Sequence, residues 1–322
     1  MIIGHQKNLK IISTIIKEKR FPHAVLFGGP EKIGKKEIAL EIAKYLSSTH
    51  KNDFFSFSQE NCKCQTCHLI NKKSFSEIIE IEKSENQISI KEIREMRTKL
   101  LTASSFAYKI VILNNTEALS QEATGALLKT LEEPRGNTIF FLLSSMPKIL
   151  PKTILSRLSV FKFNPLSKKD IEKIITKKNP EITPLAKEKV IDISLGRSKL
   201  AEELCVDKKK LLYYDSLLEN VEKSSKLSVF ERLKLAEIIE KTLKTEDFLL
   251  MASFWFRDLF LAKKGIENFS FNFKKEDIKK AAKDYSSQKL EEILKAVLET
   301  KKYIYFSNVS RLLAFENFLL KI

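Results

Sequence analysis

A glycine-rich segment near the start of the chain has the residues that bind phosphate in many proteins. It begins at Gly29 and fits the pattern G-x-x-x-x-G-K through Gly34 and Lys35. Glycines let backbone N–H groups approach phosphate oxygens, the N-terminus of a following helix favours negative charge, and the lysine can neutralise phosphate. The apolar run HAVLFGG before it and a helical pattern after it provide the required context. Binding of ATP or ADP therefore stays open, beside the alternative that the loop is a turn that holds no ligand.

The groups that an ATP-hydrolysing site uses for magnesium and water are absent from their usual positions. Lys36 follows Lys35, where the motif has a serine or threonine that binds Mg²⁺. After the apolar run KIVIL, Asn114 and Asn115 stand where one acid would hold the metal and another would orient water. Glu117 lies two residues further along, too far to replace them without a different loop. We therefore predict no ATP hydrolysis and no bound Mg²⁺.

Three cysteines within six residues form a candidate metal site. Cys62, Cys64 and Cys67 have the spacing C-x-C-x₂-C. A structural Zn²⁺ is held by four nitrogen or sulfur ligands in a tetrahedron, so a fourth ligand is needed. His68 is poorly placed for this because it directly follows Cys67, and Cys205 is remote and predicted to be a buried thiol. The pattern favours structural zinc, with three free thiols in a degenerate insertion as the alternative.

The elements that would position these residues follow from the apolar patterning. Five apolar runs with helical patterns between them predict a parallel sheet that is covered on both faces. After Pro165 the patterns are helical, and no strand is predicted. The predicted strands lie at 23–29, 76–82, 109–113, 138–143 and 159–163. The predicted domains are residues 1–165, with a cysteine-bearing insertion at about 49–73, a small helical domain at 166–210, and a longer helical domain at 211–322.

Two stretches of the last domain have strong apolar stripes. Residues 229–243 have apolar side chains along one stripe of the predicted helix. Residues 248–262 are apolar nearly all round, which predicts burial on more than one side. The large aromatic residues of this region are predicted to be core residues. They are Trp255, Phe256, Phe260 and Phe315.

The composition limits the class of protein. The chain has 322 residues, of which 43% are apolar, so two or three folded domains are expected. A net charge of +16 attracts phosphate backbones, although abundant lysine on exposed helix faces explains it equally well. No stretch approaches the roughly 20 apolar residues of a membrane-spanning helix, and the N-terminus lacks the apolar core of a signal peptide. We therefore expect a cytoplasmic protein with no membrane partner.

Four segments together resemble the delta-prime family of bacterial DNA polymerase III clamp-loader subunits. They are RFPHAVLFGGPEKIGKKEIAL, ALLKTLEEP at 126–134, LPKTILSRL at 150–158 and NVSRLLAFENFLLKI at 308–322. The phosphate loop is weakly specific, whereas LLKTLEEP and the following Ser-Arg pair are strongly so. The resemblance extends from end to end. It implies a RecA-like AAA+ domain with a parallel five-stranded sheet, then a helical lid and an all-α collar that assembles a five-subunit ring.

The resemblance also implies a role for one arginine. Ser156 and Arg157 match the family's Ser-Arg-Cys motif, and Leu158 replaces the cysteine. In the family this arginine is a finger that reaches the ATP site of a neighbouring subunit. Arginine suits the role because its planar guanidinium clamps phosphate, so loss of the cysteine should matter little. The alternative is an ordinary surface or interface charge.

Two further family features are matched loosely. Ser144 and Ser145 follow the fourth strand, where the AAA+ sensor residue lies, and Gly196 and Arg197 fall near the nucleotide-sensing helix of the lid. Either pair can equally be ordinary loop or helix chemistry.

The cysteine cluster also has a family counterpart. Family members often have a zinc module after the helix that follows the phosphate loop, usually with four cysteines. The three here are more tightly spaced than that pattern. His50 lies near the position of the family's first cysteine and is our preferred fourth zinc ligand.

The resemblance implies a non-hydrolysing clamp-loader subunit that completes the ring and presents Arg157 to an adjacent ATPase subunit. The implied partners are the gamma/tau and delta subunits, the sliding clamp, and primed DNA within the complex. Two other functions stay open. One is an active ATPase of the gamma/tau type, which Lys36, Asn114 and Asn115 argue against. The other is a stand-alone DNA-binding protein, which the lysine surplus favours.

Overall fold

The computed structural model describes residues 2–48, 53–59, 62, 64–83, 87–102, 106–242, 244–306 and 310–322. The chain divides into two compact units. The first comprises Met1–Ile174 and Gly196–Leu200, and the second comprises Ile175–Leu195 and Ala201–Ile322.

The first unit is built around a five-stranded parallel sheet, as the apolar runs predicted. The strand order is β2-β3-β4-β1-β5, and every pairing is parallel. This order places β1 between β4 and β5, and β3 between β2 and β4. The strands are β1 (Ala24–Gly28), β2 (Ile78–Ile81), β3 (Lys109–Leu113), β4 (Thr138–Ser144) and β5 (Ser159–Lys162).

Helices cover both faces of this sheet. Val25 and Phe27 contribute to the core on one face, whereas Ala24 and Leu26 contribute to the core on the other. This alternation follows from the period of two along a strand and explains why each strand is apolar throughout. The first face packs against α1 (Gln6–Lys17), α2 (Lys35–Leu46), α3 (Phe54–Gln59) and α4 (Gln65–Asn71). The second packs against α5 (Ile90–Leu100), α6 (Gln121–Glu132) and α7 (Lys152–Leu155).

Local sequence signals set where these helices begin. Ser89 and Glu92 form a capping box at the start of α5, and the Ser120 hydroxyl accepts a hydrogen bond from the Ala123 N–H at the start of α6. Such caps stabilise a helix by about 1 kcal/mol each because they satisfy N–H groups that have no partner within the helix. The start of α6 lies where the sequence predicted its N-cap.

The second unit consists of helices over the described residues. This agrees with the prediction of no strand after Pro165. Its elements, of which α8 and α10 are shared with the first unit, are α8 (Lys168–Lys178), α9 (Pro184–Ser194), α10 (Ser198–Leu204), α11 (Lys208–Ser224), α12 (Val229–Thr242), α13 (Thr245–Lys263), α14 (Lys275–Ala281), α15 (Ser287–Phe306) and α16 (Arg311–Leu320).

Helix α13 is the centre of the second unit's core. It packs against α11 and α15, so the prediction of burial on more than one side is confirmed. Trp255, Phe256 and Phe315 are buried as expected, whereas Phe260 is only partly buried. Cys205 is also buried, as predicted. Among the described residues, no helix is both long enough and apolar enough to cross a membrane.

Candidate functional site

The candidate functional residues of the first unit lie at one edge of the sheet. The phosphate loop follows β1, Asn114 and Asn115 follow β3, and Ser144 ends β4. These three strands are neighbours, and the carboxyl ends of parallel strands meet at the same edge, where α/β proteins bind ligands. The edge encloses a cavity of about 240 Å³. Its walls include Lys32, Gly34, Lys35, Lys36, Asn114, Asn115, Ser145 and Lys199.

Glycine is required at the two ends of the phosphate loop. A Cβ at Gly29 would lie 2.2 Å from the Phe163 carbonyl oxygen, so any side chain would displace the backbone. The Gly29 N–H donates to the Ser144 carbonyl oxygen at 3.1 Å, which ties the loop to β4. Gly34 has φ +95°, a conformation that side chains disfavour, and α2 begins directly after it. The loop thus has the local form that its motif predicted.

Lys35 is buried and has no carboxylate hydrogen-bonded to it among the described residues. Its Nζ donates to the carbonyl oxygens of Gly29 at 2.6 Å and Pro30 at 2.8 Å. Burial lowers the pKa of Lys35 to about 8, although the nearby carboxylates of Glu117 and Glu31 act in the opposite direction. The ammonium is therefore held at the loop by carbonyl oxygens.

Lys36 occupies the position of the motif's metal ligand and forms a double ion pair. Its Nζ lies 2.7 Å from Glu80 Oε2 and 2.6 Å from Glu82 Oε1. Asn114 Nδ2 donates to the same Glu82 oxygen at 3.4 Å. Burial alone would lower the pKa of Lys36, but hydrogen bonds to the two glutamates raise it. Lys36 is thus a fixed cation in the wall of the cavity.

The donor set at this edge does not fit Mg²⁺. The metal prefers six oxygen ligands at about 2.0–2.1 Å. Lys36 offers an ammonium, and the carboxylates of Glu80 and Glu82 are already occupied by it. The residues that would hold the metal from β3 are amides. The sequence did not single out Glu80 and Glu82, because their role depends on the pairing of β2 with β3.

Glu117 does not take over the role of the missing acids. Its Oε1 accepts hydrogen bonds from the Ser145 N–H at 3.0 Å and from the Ser145 hydroxyl. Thr116, which is fully buried, donates its hydroxyl to the carbonyl oxygens of Leu113 and Leu143. These bonds join the segment after β3 to β4. The Glu117 side chain therefore connects the segment after β3 to the end of β4.

A later segment of the first unit completes the cavity. The Lys199 N–H donates to the Lys32 carbonyl oxygen at 2.8 Å, and Lys199 Nζ lies 3.7 Å from Glu37. Gly196 has φ +74°, and its carbonyl oxygen accepts from the Leu166 N–H. Arg197 is buried, but among the described residues it is Lys199 that lines the cavity from this segment. Gly196 and Arg197 thus lie in the segment that contributes Lys199 to the cavity wall.

Arg157 lies just after α7 and is paired within its own chain. Its guanidinium donates to the Thr153 carbonyl oxygen at 2.8 Å and the Ser156 hydroxyl at 3.2 Å, and it forms an ion pair with Glu132. The side chain of Arg157 is 35% exposed and that of Glu132 is 48% exposed. An exposed pair of this kind is worth only about 0–1 kcal/mol, so the guanidinium can exchange Glu132 for another anion.

The three clustered cysteines come together at the start of α4. The sulfur atoms of Cys62, Cys64 and Cys67 all lie within 4.8 Å of one another. Sulfur ligands of one tetrahedral zinc ion are about 3.8 Å apart, given a Zn–S distance near 2.3 Å. The arrangement therefore fits three ligands of a zinc site. His50 lies outside the described residues, and exposed His68 is not part of the cluster.

Comparison with known proteins identifies two matching family models. The model described as "DNA polymerase III, delta subunit" matches residues 4–167. The model described as "DNA polymerase III, delta subunit, C terminal" matches residues 209–322. The first spans half of the chain and contains the phosphate loop, Asn114 and Arg157.

Individual relatives match about half of the chain. DNA polymerase III subunit tau of Bacillus subtilis is 36% identical over 172 residues, which is 53% of this chain and 30% of the relative. The gamma subunit of Buchnera aphidicola subsp. Schizaphis graminum is 36% identical over 53% of this chain and 46% of its own length. The chain thus spans less than half of either relative. Among solved structures, a DNA polymerase III gamma subunit-related protein of Thermotoga maritima is similar over 97% of both chains, at 20% identity and a TM-score of 0.47.

Proposed function

The chain belongs to the DNA polymerase III delta-subunit family, a family of clamp-loader subunits, and on this premise we propose that it is a non-hydrolysing subunit of the delta-prime type. It completes the loader ring and supplies Arg157 to the ATP site of a neighbouring subunit while a sliding clamp is loaded on primed DNA. Its partners are the gamma/tau and delta subunits. The observation that carries the proposal is the replacement of every metal- and water-handling group at the phosphate loop.

The electrostatics of the site oppose ATP hydrolysis. Phosphoryl transfer depends on a metal ion that neutralises charge and on a group that orients the attacking water. Lys36 presents a positive charge to the metal's position, and Asn114 and Asn115 are amides without the charge or basicity that either task needs. Of the carboxylates nearby, Glu117 is engaged by Ser145, and Glu80 and Glu82 are paired with Lys36. Glu37, which lines the cavity, lies 3.7 Å from Lys199 Nζ.

Arg157 suits the role of a finger because its guanidinium is partly exposed and is only weakly held by Glu132. A triphosphate carries more negative charge than one carboxylate and can bind the guanidinium at two oxygens. The Arg157 guanidinium therefore gains more interaction free energy from a neighbour's phosphate than it loses by leaving Glu132. In comparable systems such an arginine accelerates phosphoryl transfer by roughly 10³–10⁵.

The rest of the chain has supporting roles in this proposal. Residues 166–210 act as a helical lid, and residues 211–322 act as the collar that joins the subunits into a ring. The collar presents exposed apolar side chains, among them Leu212, Phe230 and Leu298, that a ring interface would bury. Cys62, Cys64 and Cys67 hold a structural zinc ion together with a fourth ligand, for which His50 is the candidate.

An active ATPase of the gamma/tau type is the second candidate, because the individual relatives described above are named tau and gamma. Such a subunit hydrolyses ATP with groups of its own site. We prefer the first proposal because Asn114, Asn115 and Lys36 replace the groups that hydrolysis needs. Measuring ATP hydrolysis by the purified chain alone distinguishes the two.

The experiment is reconstitution of the loader with wild-type chain or with Arg157→Ala. We expect the variant to assemble normally, while the ATP site that it serves slows by roughly 10³-fold or more, so that the remaining turnover comes from the other sites. Arg20→Ala is the matched control, since Arg20 is an 81% exposed arginine of the same unit. Unchanged DNA- and clamp-stimulated turnover with Arg157→Ala rejects the finger.

A further inference from the structure

The guanidinium of Arg157 is held by two separate sets of bonds. Its Nη1 donates to the Thr153 carbonyl oxygen at 2.8 Å and to the Ser156 hydroxyl at 3.2 Å, so bonds within one helical turn orient the group. Its Nη2 donates to the carboxylate of Glu132, the last residue of α6. The orientation of the guanidinium and the neutralisation of its charge therefore come from different residues.

The charge of Glu132 does not stabilise the helix that carries it. Glu132 ends α6, and the C-terminal end of a helix has a partial negative charge that disfavours a carboxylate. Glutamine has nearly the same helix propensity as glutamate, without the charge. Glu132→Gln should therefore leave α6 as stable as before while it removes the ion pair with Arg157.

Other cations lie on the same side of α6 as Glu132. Together with Glu133, Glu132 lines a cavity of about 580 Å³ between α5 and α6. The walls of this cavity also contain four cations, none of which forms an ion pair with another described residue. They are Arg94, Arg97, Lys129 and Arg135. A Glu132 carboxylate that leaves Arg157 therefore stays in basic surroundings, which lowers the free-energy cost of the exchange.

We propose that Glu132 is a positioning residue for Arg157, whose guanidinium it holds until a phosphate of the neighbouring subunit's ATP takes its place. This role rests on the proposed function, because it concerns the same arginine. Glu132 and the phosphate compete for Nη2, whereas the bonds of Nη1 to Thr153 and Ser156 can persist. Glu132 thus lowers the fraction of chains in which the guanidinium is available. Because the ion pair is exposed, this factor is about two- to fivefold.

Reconstitution of the loader with Glu132→Gln tests this role. We expect kcat/KM for ATP hydrolysis without DNA to rise about two- to fivefold. The rise should shrink as salt is added, because an exposed ion pair is screened. In a chain that also carries Arg157→Ala, Glu132→Gln should have no effect, since the carboxylate acts only through the guanidinium. Glu133→Gln is the matched control, because it removes the adjacent acid of the same cavity and should leave kcat/KM unchanged. Chemical unfolding of each purified chain checks that the variants fold.

The possible outcomes separate this role from the proposed function. A fall in kcat/KM with Glu132→Gln means that the carboxylate assists Arg157 instead of competing with phosphate, and overturns the proposal. An unchanged kcat/KM, or a rise that persists with Arg157→Ala or that Glu133→Gln reproduces, overturns it as well. If Arg157→Ala slows the loader while Glu132→Gln does nothing, only the role of Glu132 is rejected. If Arg157→Ala alone leaves turnover unchanged, the finger is rejected and the role of Glu132 with it.

Discussion

Lys35 and Lys36 are adjacent in the chain but differ in how their charges are compensated. Lys36 has two carboxylates at hydrogen-bond distance, and its pKa is raised. Lys35 has only carbonyl oxygens at that distance, and burial lowers its pKa to about 8. A buried ammonium that is bonded only to carbonyl oxygens costs folding free energy.

This leads to a prediction on pH and stability for Lys35→Met. Below pH 8 the wild-type Lys35 is charged in both the folded and the unfolded chain. The free-energy cost of burying its ammonium therefore does not change with pH in this range. Between pH 8 and about 10.5 the unfolded chain binds more protons, so the free energy of unfolding of the wild type rises with pH. The free energy of unfolding of the wild type, relative to that of Lys35→Met, should therefore rise by on the order of 2–3 kcal/mol between pH 7 and pH 10.5. The same charges near Lys35, from Glu117, Glu31 and Glu37, remain in both proteins.

Chemical unfolding of both proteins across this pH range measures the difference. Lys44→Met is the control, because Lys44 lies on the same helix and pairs with the Glu41 carboxylate. If the difference in the free energy of unfolding between wild type and Lys35→Met does not change from pH 7 to pH 10.5, the burial of the Lys35 ammonium is contradicted.

The residues of the site were only partly predictable from sequence. Gly29, Gly34 and Lys35 follow from a local motif, and Asn114 and Asn115 follow from their position after an apolar run. Glu82 and Lys199 do not, because their contacts with Lys36 and with Glu37 join segments that are distant in the chain. The partner of Arg157 was unpredicted for the same reason, since Glu132 is brought near it by packing of α6 against α7.

At the scale of elements, the turn from β1 into α2 determines the shape of the site. Gly29 passes so close to the Phe163 carbonyl that only glycine fits, and its N–H is bonded to β4. The loop is therefore fixed by the neighbours of β1 in the sheet, and not only by its own sequence.

We predict opposite effects for two Gly→Ala substitutions. Gly29→Ala should lower the free energy of unfolding by roughly 1–3 kcal/mol, because its Cβ would overlap a backbone carbonyl. Gly125→Ala should raise it by about 0.5–1 kcal/mol, because Gly125 is an exposed residue within α6 with nothing within 4 Å of a new Cβ. Denaturant unfolding compares them, and a Gly29→Ala protein as stable as Gly125→Ala would be inconsistent with this packing.

The cysteine-bearing insertion is the second element with a specific test. We predict one zinc ion per chain, measured by elemental analysis of protein purified without added chelator. Cys67→Ser should lose the metal because it removes one of three clustered thiolates. Cys205→Ser should keep it, since Cys205 lies outside this cluster. Wild-type protein that is free of zinc argues for three free thiols instead.

At the scale of the whole molecule, the fold class was predictable from patterning alone. The five apolar runs became the five strands, and the segment after Pro165 became helices, because period and burial are local properties of the sequence. The strand order was not predicted from the runs, since it depends on long-range pairing. The insertion's helices α3 and α4 were also missed, because each is short and has no clear apolar period.

In the division of labour that we propose for the loader, neighbouring subunits hydrolyse ATP and this chain does not. The most direct measurement is phosphate release from ATP by the purified chain alone, with Mg²⁺ and with primed DNA. We predict release no faster than in protein-free buffer, because the groups for metal and water are absent. Mg²⁺-dependent turnover that disappears in Lys35→Ala would contradict this, since it would mean that the chain hydrolyses ATP at its own loop.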